Sequence, residues 1–217
     1  MRKLAFSLSL VLLTSAVQAG STGPDIDKVN GTIRVDAGQL AGDLETVNGS
    51  IRVGDRARAD SAGTVNGSIE LGDDAELDSA ETVNGAISLG QRARIRRNAE
   101  SVNGAITLGR GAEVGGKLSN VNGLIQTESA HVGGDIETVS GNIEIGADSR
   151  IDGGILIDRQ TGWSWGKPKP PLVIIGPNAV VQGRLVFRRE VELYVSTSAK
   201  TGPIEGATAK SFSGATP

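Results

Sequence analysis

No cysteine occurs in this chain, which excludes disulfide staples and a lipid anchor on an N-terminal cysteine. Aromatic residues make up 3% of it, too few for an ordinary globular core. There is one histidine, so no Cys/His spacing for a metal exists, and the sequence holds no P-loop, no Gly-x-Ser-x-Gly elbow and no EF-hand loop. No catalytic group, metal site or cofactor is expected. Basic residues form no stripe of the kind that nucleic-acid binding requires.

Long apolar runs are equally scarce. The one example is N-terminal, where Arg2 and Lys3 precede Leu4, Ala5, Phe6, Leu8, Leu10, Val11, Leu12 and Leu13, followed by Val17-Gln18-Ala19. That run is too short to span a bilayer, and its small-residue end reads as a secretory cleavage site. The expectation is a signal peptide over 1–19, a mature chain from Gly20 without a transmembrane span, and a periplasmic or secreted location. Removing Arg2 and Lys3 leaves 20 basic residues against 25 acidic ones, a net charge of −5.

What the chain has in abundance is repetition. Val-Asn-Gly recurs at Val29, Val47, Val65, Val83, Val102 and Val121, and Val139-Ser140-Gly141 closes the series. An interval of 18 or 19 residues is the signature of a solenoid whose neighbouring coils bury each other's apolar side chains. Every copy but the one at Val121 continues as Val-x-Gly-x-Ile-x-aliphatic, as in Val47, Gly49, Ile51 and Val53. This alternation predicts a strand that buries Val and Ile on one face, with Asn-Gly at a tight corner of positive φ. Asn30, Asn48, Asn66, Asn84, Asn103 and Asn122 should then lie above one another as a structural amide ladder.

A second motif, small-x-aliphatic-x-Gly-x-aliphatic, recurs in Ala112–Leu118, Ala130–Ile136, Ser149–Ile155 and Ala179–Leu185. Eighteen residues then divide into three sides of about six, which makes the expected fold all-β: a single-stranded, triangular parallel β-helix from 29 to 195 after a lead segment over 20–28. Residues 196–217, rich in Gly, Ser, Thr, Ala and Lys, are expected to form a flexible tail.

Aligned coils put Arg58, Glu76, Arg94, Glu113, His131 and Arg150 in one column and Arg56, Asp74 and Arg92 in a neighbouring one. Alternating charge favours stacked strands. Arg34 and Arg52 share a column before Glu70 and depart from that rule. His131 falls in a charge column and reads as structural. Asp73-Asp74 reads as a solvated turn more readily than as a weak calcium site.

Two features remain as contacts for a ligand or partner. Arg92, Arg94, Arg96 and Arg97 form a local basic patch, read either as a paired, solvated face or as a site for an anionic envelope polysaccharide. An insertion at 160–171 interrupts the repeat and holds Trp163, Trp165, Lys167 and Lys169 among three prolines and two glycines. Two aromatics and two lysines on such a loop could stack on a sugar or cover the flank of the helix.

Leu172–Ala207, with Ile175-Gly176-Pro177-Asn178-Ala179-Val180-Val181-Gln182-Gly183 and Gly202-Pro203-Ile204-Glu205-Gly206-Ala207, resembles bactofilins. The Val-Asn-Gly-x-Ile run is also similar to adhesin-like repeat proteins of the bacterial cell envelope. The first resemblance implies a right-handed parallel β-helix that polymerises end to end without a nucleotide, through terminal coils that are open sheet edges. Bactofilins are cytoplasmic as a rule, whereas this chain begins with a secretion signal. The function expected is therefore a non-enzymatic scaffold or adhesin-like protein of the envelope, self-assembling through its ends. Its rival is a polysaccharide-binding or polysaccharide-degrading β-helix, against which the uniform coils argue.

Overall fold

The computed structural model describes residues 23–159 and 169–217. The described residues contain 27 strands and no helix. They form three parallel sheets, two of ten strands and one of seven, in a β-solenoid of about nine turns with about 19 residues per turn. Most coils contribute one strand to each face. The first face starts with Ile26–Asn30, Leu44–Asn48 and Ser61–Asn66; the second starts with Ile33–Val35, Ile51–Val53 and Ile69–Leu71. The third runs from Glu76–Leu77 to Lys200–Thr201, and isolated bridges from Leu40 to Arg58 and from Arg58 to Glu76 extend its column to the first coil.

Stacking explains how so few aromatics make a core. On the second face Ile33, Ile51, Ile69, Ile87, Ile106 and Ile125 stack in register, each 0% exposed. On the third face alanine alternates with a larger aliphatic, as in Ala75 and Leu77 or Ala93 and Ile95, all fully buried. Identical aliphatics at strand spacing fill a narrow interior, because a coil meets a near copy of its own cross-section.

The turn into the third face has a fixed conformation. Gly38, Arg56, Asp74, Arg92, Gly111, Ser129, Asp148 and Asn178 all have positive φ, between 44° and 72°. In most copies the next residue is an alanine whose N–H closes the turn, as when Ala57 donates to the Gly54 carbonyl at 3.0 Å. Four of the eight, Arg56, Asp74, Arg92 and Asp148, are Arg or Asp residues that hold the left-handed conformation against their own Cβ.

The coils extend further than the sequence pattern indicates. The expected boundary at Val195 and the flexible tail after it are both corrected: Lys200–Thr201, Ile204–Glu205 and Ala209–Phe212 add strands to all three faces. The edge of the preceding coil offers unpaired backbone groups, and Ile204 and Ala209 continue the inward columns of Leu185 and Leu193. A weakly apolar segment suffices where the ladder is already built. At the other end the first strand begins at Ile26, within the expected lead segment.

Candidate functional site

The corner between the first and second faces carries the Val-Asn-Gly repeat, and it differs in two ways from the sequence expectation. The valines do not share the buried face with the isoleucines. Val29 and Val47 are 68% and 38% exposed, and Val65, Val83, Val102, Val121 and Val139 are half-buried and point outward. The inward residue is the one before each valine: Thr46, Thr64, Thr82, Ser101, Asn120 and Thr138, none more than 6% exposed. Alternation of period two stops at the corner, so a phase taken from Ile does not carry back across Gly.

The glycines also serve a different purpose. Only Gly31 and Gly123 of the seven have positive φ. A Cβ on Gly49, Gly67, Gly85 or Gly104 would instead strike the carbonyl oxygen of the corresponding glycine one coil back. Close approach of stacked corners, more than backbone rotation, demands glycine here.

That same carbonyl is the acceptor for the inward polar column. Thr64 Oγ1 donates to Gly49 O, Thr82 Oγ1 to Gly67 O and Ser101 Oγ to Gly85 O, each at 3.0 Å, and Asn120 Nδ2 donates to Gly104 O at 3.3 Å. A hydroxyl inside the corner is thereby satisfied, as a buried polar group must be.

Outside the corner stands the amide ladder. Asn48 Nδ2 donates to Asn30 Oδ1 at 3.1 Å, and the pattern repeats from Asn66 to Asn48, Asn84 to Asn66, Asn103 to Asn84 and Asn122 to Asn103 at 2.9–3.1 Å. All six side chains are exposed. The ladder stops where Ser140 replaces asparagine.

One coil further on, the corner opens into the insertion. Ile155–Ile157 on the first face and Leu172–Ile175 on the second bound it. Trp163, Trp165 and Lys167 lie outside the described residues; Lys169 is exposed at the base. The base is fastened at several points. Arg188 Nη1 pairs with Asp158 Oδ1 at 3.2 Å, and Leu172 N donates to Asn142 Oδ1 at 2.9 Å. Arg189 reaches across the interrupted coil, donating from Nη1 to Val139 O at 3.1 Å and Ser140 Oγ at 3.4 Å.

The arginine patch resolves into pairs. Arg92 grips Asp74 through two hydrogen bonds of 2.7 Å, Arg94 meets Glu113 at 2.6 Å, and Arg96 and Arg97 both face Asp78, at 2.9 and 3.9 Å. The bonds from Arg92 hold the Asp74 carboxyl below its ordinary pKa and raise that of the guanidinium. Asp73 accepts the backbone N–H of Gln91 at 2.8 Å. Among the described residues no group of three or more His, Cys, Asp or Glu side chains is placed to hold a metal ion, and no helix is long and apolar enough to cross a membrane.

His131 sits between two carboxylates, with Nε2 at 2.8 Å from Asp152 and Nδ1 at 3.8 Å from Glu113. Its hydrogen bond, with help from Arg150, lowers the Asp152 pKa. The outward side of the first face has the opposite tendency. Burial, then Asp27, Asp43 and Asp25, raises the pKa of Glu45; burial, then Glu100, raises that of Glu81.

Sequence reasoning missed three devices: the inward Thr/Ser/Asn column, the left-handed column and the reach of Arg189. The first was readable, since Thr precedes Val in four of the repeats from Thr46 to Thr138. No protein family, curated protein or solved structure matches this chain.

Proposed function

We propose that the protein is a non-enzymatic scaffold rod of the bacterial envelope, exported through its N-terminal signal. The observation that carries this reading is where the repeated polar side chains are spent. The asparagines, the inward threonines and the paired arginines all bind a neighbouring coil, so the repeat's chemistry is used to hold the coils of one rod together. The resemblance of Leu172–Ala207 to bactofilins and of the Val-Asn-Gly run to envelope adhesin-like repeats points the same way. About nine turns at a strand spacing of ~4.8 Å give a shaft of roughly 45 Å.

The test combines location and consequence. Expression with a C-terminal epitope, osmotic-shock fractionation and mass spectrometry of the purified chain should find it outside the cytoplasm with Gly20 at its N-terminus. Deleting the gene should alter envelope permeability or surface attachment. Retention of the full chain in the cytoplasm, or turnover of a polysaccharide by the purified protein, would refute the reading.

A further inference from the structure

We infer that the first coil is built as a stop, which keeps the last coil of a second copy from stacking on it in register. The rod is therefore a unit of fixed length at its N-terminal end. This goes beyond the scaffold reading and is independent of where the protein resides.

The first observation is Lys28. It pairs in register with Thr46, so it occupies the inward corner column that holds Thr, Ser or Asn in the coils above. Lys28 is exposed, and its Nζ donates to the Thr32 carbonyl at 2.8 Å. In the following coils the equivalent carbonyls accept an N–H from the coil beneath: Ile33 N donates to Ser50 O at 2.9 Å and Ile51 N to Ser68 O at 2.8 Å. Thr32 O is thus the acceptor that a stacked copy would need for the N–H of its Ala209, whose column is that of Ile33. The lysine takes it. A charged side chain turned inward on an edge strand is a known way to blunt that edge.

The second observation is the charge register. On the first face the column begins with Asp27 and Glu45 and ends with Glu205. On the second it begins with Arg34 and Arg52 and ends with Lys210. Continuing both columns by one coil sets Glu205 beside Asp27 of the next copy and Lys210 beside Arg34. Each junction becomes a run of three like charges, and like charges on facing strands oppose pairing. The corner and both faces therefore resist the same docking.

Sedimentation velocity over a concentration series, on the full chain as processed by a secreting host, tests this. The native protein should remain one species throughout. The triple variant Lys28→Thr, Glu205→Lys, Lys210→Glu removes the cap and turns both junctions into opposite-charge pairs. It should associate into an open-ended series at concentrations lower by about tenfold or more. Growth of the native chain into such a series overturns the inference, as does a folded triple variant that sediments like the native protein. Circular dichroism checks folding. Should the triple variant be unfolded, Lys28→Thr in about 1 M salt, which screens both charge junctions, carries the test, because it installs the residue already present at Thr46: association beyond that of the native chain in the same salt supports the stop, and equal sedimentation overturns it.

Discussion

Thr64 Oγ1 donates a 3.0 Å hydrogen bond to the carbonyl oxygen of Gly49, one coil back, and the same oxygen lies where a Cβ on Gly67 would have to be. One backbone atom thus receives the hydroxyl from inside the corner and fixes glycine at the next corner. Thr64→Val keeps the shape and removes the donor. It should lower stability by about 1 kcal/mol, read from urea unfolding, while Thr64→Ser should retain most of it.

The glycine half of this relationship is tested by a contrast. Gly67→Ala drives a methyl group into the Gly49 carbonyl and should cost about 3 kcal/mol or prevent folding. Gly63→Ala, on the outward side of Ser61–Asn66 with nothing within 4 Å and no positive φ, should stabilise by about 0.5 kcal/mol. Equal effects in thermal melts would refute the close-approach account.

The amide ladder predicts a positional effect. Asn84→Ala removes two ladder bonds, to Asn66 and from Asn103, whereas Asn30→Ala removes one. The interior substitution should cost about 1 kcal/mol and the terminal one less than half of that. Amide hydrogen exchange should localise the loss to the coils on either side of Asn84.

Arg56 offers a route to stabilisation. Its φ of 56° is a conformation glycine adopts freely, and the equivalent positions Gly38 and Gly111 already hold glycine. Arg56→Gly should raise stability by about 0.5–1 kcal/mol, seen as a higher melting temperature.

Two carboxylates should show opposite pH dependence. Glu81 has a raised folded-state pKa, caused first by burial and then by Glu100, so its charge opposes folding. That penalty is complete above the raised value and disappears as pH falls to the ordinary 4.5. Glu81→Gln should therefore stabilise at about pH 7 and be neutral at about pH 3.5. Asp152 has a lowered pKa because of the hydrogen bond from His131. Its contribution is present above the ordinary 3.8 and is lost as pH falls through the folded value. His131→Ala should bring the Asp152 carboxyl back toward 3.8 in an NMR titration.

Much of this architecture is legible in the residues because a solenoid repeats its constraints. The interval from Val29 to Val139 sets the coil, and the equal spacing of Asn30 through Asn122 sets the register in which amides meet. The arginine columns were legible for the same reason, since Arg58 and Glu76, or Asp74 and Arg92, are one coil apart. Lys169 and the corner around Arg189 were harder, because an insertion resets the count.

Periodicity by itself determined that this chain stacks on itself, as a strand pattern repeated at constant spacing can bury its apolar positions only against its own copies. Tertiary structure decided which way each residue faces at a corner, because strand alternation is not transmitted through a bend. It turned Val47 outward and Thr46 inward, and it made Gly49 necessary through the distance between coils. It also decided what the ends are: Lys28 reads as one more polar residue in the sequence, and only the unpaired Thr32 carbonyl of an edge coil gives its ammonium group a place to bind.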